Sequence, residues 1–377
     1  MAPERFMRAA LALARRGLGN TWPNPAVGCV LVRDEVVVGR GWTQPGGRPH
    51  AETEALRRAG PAARGATAFV TLEPCAHTGA TAPCAEALVA AGIARCVVAL
   101  EDPDPRVAGR GLAHLGDAGV EVALGCCADE AAALNAGYLM HRRQGRPMVT
   151  WKIASSLDGC IATAAGDSRW ITGDAARARA HLLRARHDAV MVGARTAIAD
   201  QPRLTCRLAG LEAASPVRVI ADSRLRLPLT DPLVTEAGAV PSWVLALAGA
   251  ERGRKRAFTD AGVEVIEVAA GEGGLDMATA LAALARRGVT RLMVEGGGRL
   301  AASLLRADLV DRIAWFRAPI VLGGDGVPAA AALGLAEIAA GPRFRRTRLL
   351  PLDDDVLEDY VRLRDGDHVA PAGESEY

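Results

Sequence analysis

Pro49-His50-Ala51-Glu52, Glu73-Pro74-Cys75 and Pro83-Cys84 place one imidazole, two thiols and the carboxylate of Glu52 where they can act as a set. Structural zinc sites close all four positions with Cys and His, whereas catalytic ones keep one position for water. His50, Cys75 and Cys84 would leave that position open. A water there becomes a nucleophile near neutral pH. Glu52, two residues after His50, is close enough to carry that water's proton. Taken singly, His50 reads as a surface histidine and each cysteine as a buried thiol. The combination favours a metal.

These residues need elements to aim them. Glu52 to Ala59 reads as a helix, which puts His50 and Glu52 at its N-terminus, where backbone dipoles converge. Thr67 to Leu72 reads as a strand ended by Glu73-Pro74-Cys75. Cys84 to Ala91 reads as the next helix, with Pro83 suited to its first turn. Thiols near helix N-termini have lowered pKa, which helps them bind a metal. Upstream, Phe6, Ala9, Ala10, Leu13 and Ala14 fit one helical face. Thr21-Trp22-Pro23-Asn24-Pro25 is a rigid turn. Asn24 either caps it or offers a donor and an acceptor to a heterocycle. Val27 to Val32 and Val36 to Val38 form a hairpin about Arg33-Asp34-Glu35, followed by a glycine-rich loop, Gly39 to Gly47. Downstream come a strand, Cys96 to Leu100, the loop Asp102 to Pro105 and a helix to about Ala118. Such alternation predicts an α/β domain with helices on both faces of a sheet.

The chain has 377 residues, beyond the size at which one core stops growing, so two domains are expected. Half its residues are hydrophobic, enough for two cores. Net charge is +2, and Lys152 and Lys255 are its two lysines. Aromatics are 4%. A nucleic-acid binder needs a basic stripe or a stacking platform, and neither is present. Met1 to Asn20 lacks the pattern of a signal peptide. No apolar run reaches the roughly 18 residues of a membrane span. Cys29, Cys96, Cys126, Cys127, Cys160 and Cys206 read as small core residues of a reducing compartment. The expected location is cytoplasmic, with no nucleic-acid or membrane partner.

The zinc deaminases share an H-x-E…P-C-x-x-C signature with Glu as general acid/base. This chain departs from it, because the eight residues Ala76 to Pro83 separate its cysteines. That spacing argues against a cytidine or tRNA-adenosine deaminase. Pro23-Asn24-Pro25-Ala26-Val27-Gly28, His50-Ala51-Glu52 and Leu72-Glu73-Pro74-Cys75-Ala76-His77-Thr78-Gly79 through Cys84 resemble instead the deaminase half of the bifunctional riboflavin-biosynthesis deaminase/reductase family. The longer loop is normal there. The resemblance implies a cytidine-deaminase-like three-layer domain over residues 1–145. It also implies zinc on His50, Cys75 and Cys84, Glu52 as proton shuttle and Asn24 against substrate. Many relatives carry a basic residue at the position of Ala80. Arg33 or Arg48 would then replace it in holding substrate phosphate.

Gln144-Gly145-Arg146-Pro147 marks a seam, after which Met148 to Ala154 starts a new strand. Ser155-Ser156-Leu157-Asp158-Gly159 and Ser168-Arg169-Trp170-Ile171-Thr172-Gly173 resemble the family's reductase half. This implies a dihydrofolate-reductase-like α/β domain over residues 146–367, with 368–377 as a flexible tail. Trp170 is either a core aromatic or, on the resemblance, a partner for nicotinamide. Gly193 to Arg207 reads as a polar loop carrying guanidiniums, which match phosphate oxygens. A charged surface loop is an equal reading without the family. Strands are expected at Ala189–Gly193, Val217–Ala221, Val244–Leu247, Val263–Val268 and Arg291–Val294, with closing strands in Ile313–Leu322. Glu295-Gly296-Gly297-Gly298-Arg299 lies between a strand and a helix, where amides can approach a pyrophosphate. It is not G-x-G-x-x-G, which disfavours a Rossmann dehydrogenase. The resemblance implies NADPH against Ala154, Trp170, Thr196, Asp200, Ser223, Gly297, Gly298 and Arg299. It implies substrate against Ser168, Arg184, Leu204, Arg207 and Glu295, with Arg184 and Arg207 holding its phosphate and Asp200 as acid/base.

The reading is therefore a two-reaction enzyme acting on a phosphorylated pyrimidine and working as a homo-oligomer. The resemblance implies that zinc-dependent hydrolysis removes the 2-amino group of a diaminopyrimidinone ribose 5-phosphate and that NADPH then reduces the ribosyl group to ribityl. One rival is a deaminase of nucleosides or nucleic acid, which needs a basic stacking surface. A second is a regulatory protein whose second half binds a nucleotide without reducing anything, which NADPH oxidation would exclude.

Overall fold

Alternation along Gly28–Arg33 sends Cys29 and Leu31 to one face of a strand and Val30 and Val32 to the other. Both faces are apolar, so both must be covered. A computed structural model describes residues 3–76 and 82–364 and shows how. The expected tail at 368–377, His77 to Gly79 and the substituted position Ala80 lie outside the described residues.

The chain divides into two compact units, one running to Pro147 and taking in Gly288–Thr290. Its elements are α1 (Pro3–Ala14), β1 (Gly28–Arg33), β2 (Val36–Trp42), α2 (Ala51–Ala59), β3 (Thr67–Val70) and α3 (Cys84–Ala90). There follow β4 (Arg95–Val98), α4 (Arg110–Asp117), β5 (Glu121–Leu124), α5 (Ala128–Leu134) and α6 (Ala136–Gln144). The sheet order is β2-β1-β3-β4-β5. β1 is antiparallel to β2 and β3, whereas β3, β4 and β5 run parallel. Asp34 and Glu35 turn the hairpin with φ of 52° and 65°, the twist that two-residue hairpins favour.

One face packs Val30, Val32, Phe69 and Val97 under α1 and α5. The other packs Cys29, Leu31, Val70 and Val98 under α2, α3, α4 and α6. This is the expected three-layer arrangement. The buried stripe of α1 is Phe6, Met7, Ala10, Leu11 and Ala14, not the face through Ala9 and Leu13. Turning Met7 and Leu11 inward buries more apolar surface than Ala9 would. Full burial of such a side chain is worth about 1.5–3 kcal/mol. The helices lie very close to the sheet. A Cβ on Gly28 would fall 1.9 Å from the Ala10 carbonyl oxygen, and one on Gly41 2.2 Å from that of Ala51.

The second unit runs Met148–Arg287 and resumes at Arg291. It begins with β6 (Met148–Ser155), β7 (Cys160–Ala162), α7 (Asp174–Ala185), β8 (Ala189–Gly193), α8 (Ala194–Asp200), β9 (Val217–Ala221), α9 (Pro232–Thr235) and β10 (Ser242–Leu247). Next come α10 (Arg252–Asp260), β11 (Glu264–Val268), β12 (Ala270–Gly271), β13 (Gly274–Leu275), α11 (Met277–Ala285), β14 (Arg291–Val294) and α12 (Gly298–Arg306). It ends with β15 (Arg312–Arg317), β16 (Val327–Pro328), β17 (Phe344–Leu352) and β18 (Asp355–Arg362). The nine-stranded sheet has the order β11-β10-β9-β8-β14-β6-β15-β18-β17. In that sheet β18 runs antiparallel to both of its neighbours, β15 and β17, and the other pairs are parallel.

Two expectations change here. Gly193 to Arg207 is not all loop, because α8 occupies its first half; Ala194 and Ala197 give it a buried side. Of the closing strands expected in Ile313–Leu322, β15 is present, and the hairpin β17–β18 supplies the rest. All eight cysteines are free, and Cys29, Cys96, Cys160 and Cys206 are buried as expected, whereas Cys126 and Cys127 are half-buried. Among the described residues no helix is long and apolar enough to cross a membrane.

The Gly28 contact is testable. Gly28→Ala drives a methyl into backbone that cannot yield, and overpacking costs about 1–3 kcal/mol or more. Thermal unfolding of the first unit should shift down accordingly. An unchanged transition would show that α1 does not rest on this strand.

Candidate functional site

His50 lies immediately before α2, and its carbonyl accepts from Glu54 N at 3.1 Å. Cys84 opens α3. Cys75 follows β3, and its carbonyl accepts from Ala85 N at 3.2 Å. The three ligand atoms lie within 4.8 Å of one another. His50 Nδ1 is 3.3 Å from Cys84 Sγ and 3.7 Å from Cys75 Sγ. The Cys84 amide points at Cys75 Sγ at 3.4 Å.

The Cys84 thiol donates to Cys75 and, helped by His50, lowers its pKa to about 4. Cys84 is pushed strongly up in return. Glu52 is 3% exposed. Burial raises its carboxyl to about 7 against the pull of His50. One imidazole, two thiolates and a nearby unligated acid fit a catalytic zinc in donor chemistry and spacing.

Asn24 packs against the loop leading to His50: a Cβ on Gly47 would fall 1.9 Å from Asn24 Nδ2. Arg48 is electrostatically close to His50. Arg33 is not. Register pairs Cys29 with Val70 and Val32 with Thr67. Cys75 therefore follows the Cys29 end of the sheet, and Arg33 lies at the other end, beside Asp34. Arg33 is ruled out as a substitute for the missing basic side chain.

In the second unit the named residues gather at the C-terminal ends of parallel strands, where α/β sheets bind ligands. β8 leads to Thr196 and Asp200, its neighbour β9 to Ser223, and β14 to Glu295 and the glycines. Gly297 has φ of 79°, and a Cβ there would fall 3.2 Å from Thr196 Oγ1. Gly298 starts α12, and Arg299 is exposed in its first turn. Arg169 Nη2 donates to the Asp200 carbonyl at 2.9 Å. Ser168 is half-buried beside it, and Asp200 itself is exposed. Trp170 is 69% exposed, so it is not a core aromatic. The Arg177 guanidinium lies 4.7 Å from its ring centroid. Ser223 and Arg224 line a cleft of about 500 Å³ with Leu247 to Glu251 and Val268 to Ala270. Backbone amides around Gly297, the start of α12 and this cleft together suit a dinucleotide.

Arg184 grips Glu295 with both forks, at 2.5 and 2.8 Å, and donates to the Thr205 carbonyl at 3.0 Å. Burial alone would raise the Glu295 carboxyl, but Arg184 outweighs it and holds it at about 2. Arg184 is therefore committed to Glu295 rather than free for phosphate. Arg207 is exposed, and burial and its neighbours Arg184 and Arg203 lower its pKa. That mutual repulsion is what an anion relieves. Leu204 is 1% exposed and packs in the core with Val190 and Ile220. Its side chain is structural, and only its backbone can meet a ligand.

Sequence reasoning missed Lys152, next to Ala154 on β6. Burial lowers its pKa, opposed by Glu295. The signal was available, since one of two lysines in the chain stands inside an apolar strand.

Both units match known proteins. The model of the cytidine and deoxycytidylate deaminase zinc-binding region matches residues 1–100, and that of the RibD C-terminal domain matches residues 147–357. The riboflavin biosynthesis protein RibD of Bacillus amyloliquefaciens is 40% identical, with 97% of this chain and 98% of its own length covered. RibD of Escherichia coli K12 is also 40% identical, covering 94% and 98%. A solved Acinetobacter baumannii RibD superposes with a TM-score of 0.87 at 40% identity, covering 96% of this chain and 99% of its own. A Thermotoga maritima diaminohydroxyphosphoribosylaminopyrimidine deaminase/5-amino-6-(5-phosphoribosylamino)uracil reductase gives 0.84 at 32% identity, covering 96% and 99%. With a cytidine-deaminase-like unit followed by a dihydrofolate-reductase-like one, the chain belongs to the RibD family.

Proposed function

We propose that the chain performs two consecutive steps of riboflavin biosynthesis, a hydrolytic deamination and a reduction. The observation that carries the first is the convergence of His50, Cys75 and Cys84 beside buried Glu52. Zinc held by those three side chains would make a water nucleophilic near neutral pH. Glu52 takes the proton released as water adds to the ring carbon bearing the amine. It returns that proton to the departing nitrogen, so that one water enters and one ammonia leaves. A carboxyl that titrates near neutrality suits both transfers. Asn24 orients the pyrimidine, and Arg48 stands nearest for its phosphate.

The second unit is the reductase domain. NADPH supplies the hydride that converts ribosyl to ribityl. Trp170 offers an open aromatic face to the nicotinamide, with Ala154, Thr196 and Asp200 along the same crevice. Gly297, Gly298 and Arg299 receive the pyrophosphate, and Ser223 lies at the cleft beyond. Arg207 holds the substrate phosphate. Arg184 and Glu295 act as a paired unit facing the pyrimidine, with Ser168 and the Leu204 backbone at its edge. Asp200, freer than Glu295 to carry a proton, supplies acid/base help. The partners are small molecules, with no nucleic acid and no membrane. The unpaired outer edge of β17 supports a homo-oligomer, and the free cysteines support a cytoplasmic location.

Glu52→Gln should retain zinc and lose deamination by about 10²–10⁴-fold, read as ammonia release on metal-assayed protein. Retained deamination would remove Glu52 from the mechanism. Arg207→Ala should raise KM for the deaminated intermediate in NADPH oxidation and leave ammonia release unaffected. An unchanged KM would place the phosphate elsewhere.

A further inference from the structure

Glu73 lies two residues before Cys75 and is 4% exposed. A carboxylate offers about four acceptor positions, and here backbone amides fill four. Oε2 accepts from Asp102 N at 3.2 Å and Gly109 N at 3.1 Å. Oε1 accepts from Gly111 N at 2.8 Å and Leu112 N at 3.3 Å. Gly111 and Leu112 lie in the first turn of α4, where amides lack helical partners and the dipole favours an anion. The Glu73 amide donates to the Leu100 carbonyl at 2.8 Å. The next carbonyl is pinned too: a Cβ on Gly111 would fall 2.0 Å from Pro74 O.

Cys75 is therefore held from two sides. Glu73 ties its segment to the start of α4, while the start of α3 bonds its carbonyl and its sulfur directly. We propose that Glu73 is a positioning residue for the metal centre, fixing the segment that delivers Cys75 Sγ to the point shared with His50 and Cys84. Deletion of the carboxylate releases one side of that grip while leaving all three ligands and Glu52 in place. The inference rests on the zinc reading of those three residues.

The test uses the full chain as wild type, Glu73→Gln and Glu73→Asp. In Glu73→Gln an NH₂ faces two amide donors where an oxygen accepted them. Zinc-loaded protein is challenged with a chelator, and cobalt(II)-loaded protein is read by its thiolate-to-metal absorption. NADPH oxidation with the deaminated intermediate reports on the second unit. Residues that orient metal ligands are typically worth about 10–100-fold in metal affinity. Glu73→Gln should release zinc about tenfold faster or more, with a weakened cobalt–thiolate band and unchanged NADPH oxidation. Glu73→Asp, which keeps both oxygens, should fall between. Zinc release and a cobalt spectrum equal to wild type in folded Glu73→Gln would overturn the proposal. So would an unfolded Glu73→Gln beside a Glu73→Asp that holds zinc like wild type, since Glu73 would then serve the fold alone. Wild type that binds no zinc would overturn the zinc reading itself.

Discussion

Two sulfurs, a ring nitrogen and a carboxyl gathered in a half-dry space are costly to leave without a cation. Buried charges persist when they are paired or coordinate a metal. The hydrogen bond between the two thiols pushes them in opposite directions, Cys75 down and Cys84 up. Much of the first unit serves to impose this arrangement. Helices α2 and α3 each present a ligand at an N-terminus, and the segment after β3 carries the third. Close approach of α2 at Gly41 keeps His50 and Glu52 near the sheet.

The second unit depends on a different balance. Arg184 and Glu295 are both largely buried, with side chains 13% and 6% exposed. Removing one partner of such a pair leaves the other charge uncompensated. The pair stands electrostatically close to Lys152, so three fixed charges gather at one place in the second unit. Fixed dipoles and charges of this kind need no rearrangement as the reaction proceeds.

Much of this was legible in the chain. Short-range chemistry gave the hairpin at Asp34-Glu35, the helices that carry His50 and Cys84, and the parallel strands of the second unit. Reach was harder to read. The stripe of α1 turned on which side chains the sheet could accept, which period alone does not decide. The hairpin β17–β18 escaped because Arg345, Arg346, Arg348 and Pro351 mask its alternation; an edge strand tolerates both charge and proline. Arg33 was a reasonable phosphate holder until strand register placed it at the wrong end of the sheet. Arg184 was taken for a free guanidinium because its partner, Glu295, lies 111 residues away. The family resemblance supplied substrate and cofactor, which spacing alone did not contain.

The most direct measurement is zinc content of the purified chain, wild type beside Cys84→Ser, with ammonia release assayed on the same samples. The account predicts about one zinc per chain in wild type, as a three-ligand site requires, and loss of both zinc and ammonia release in the variant. Wild type that releases ammonia without zinc would contradict it.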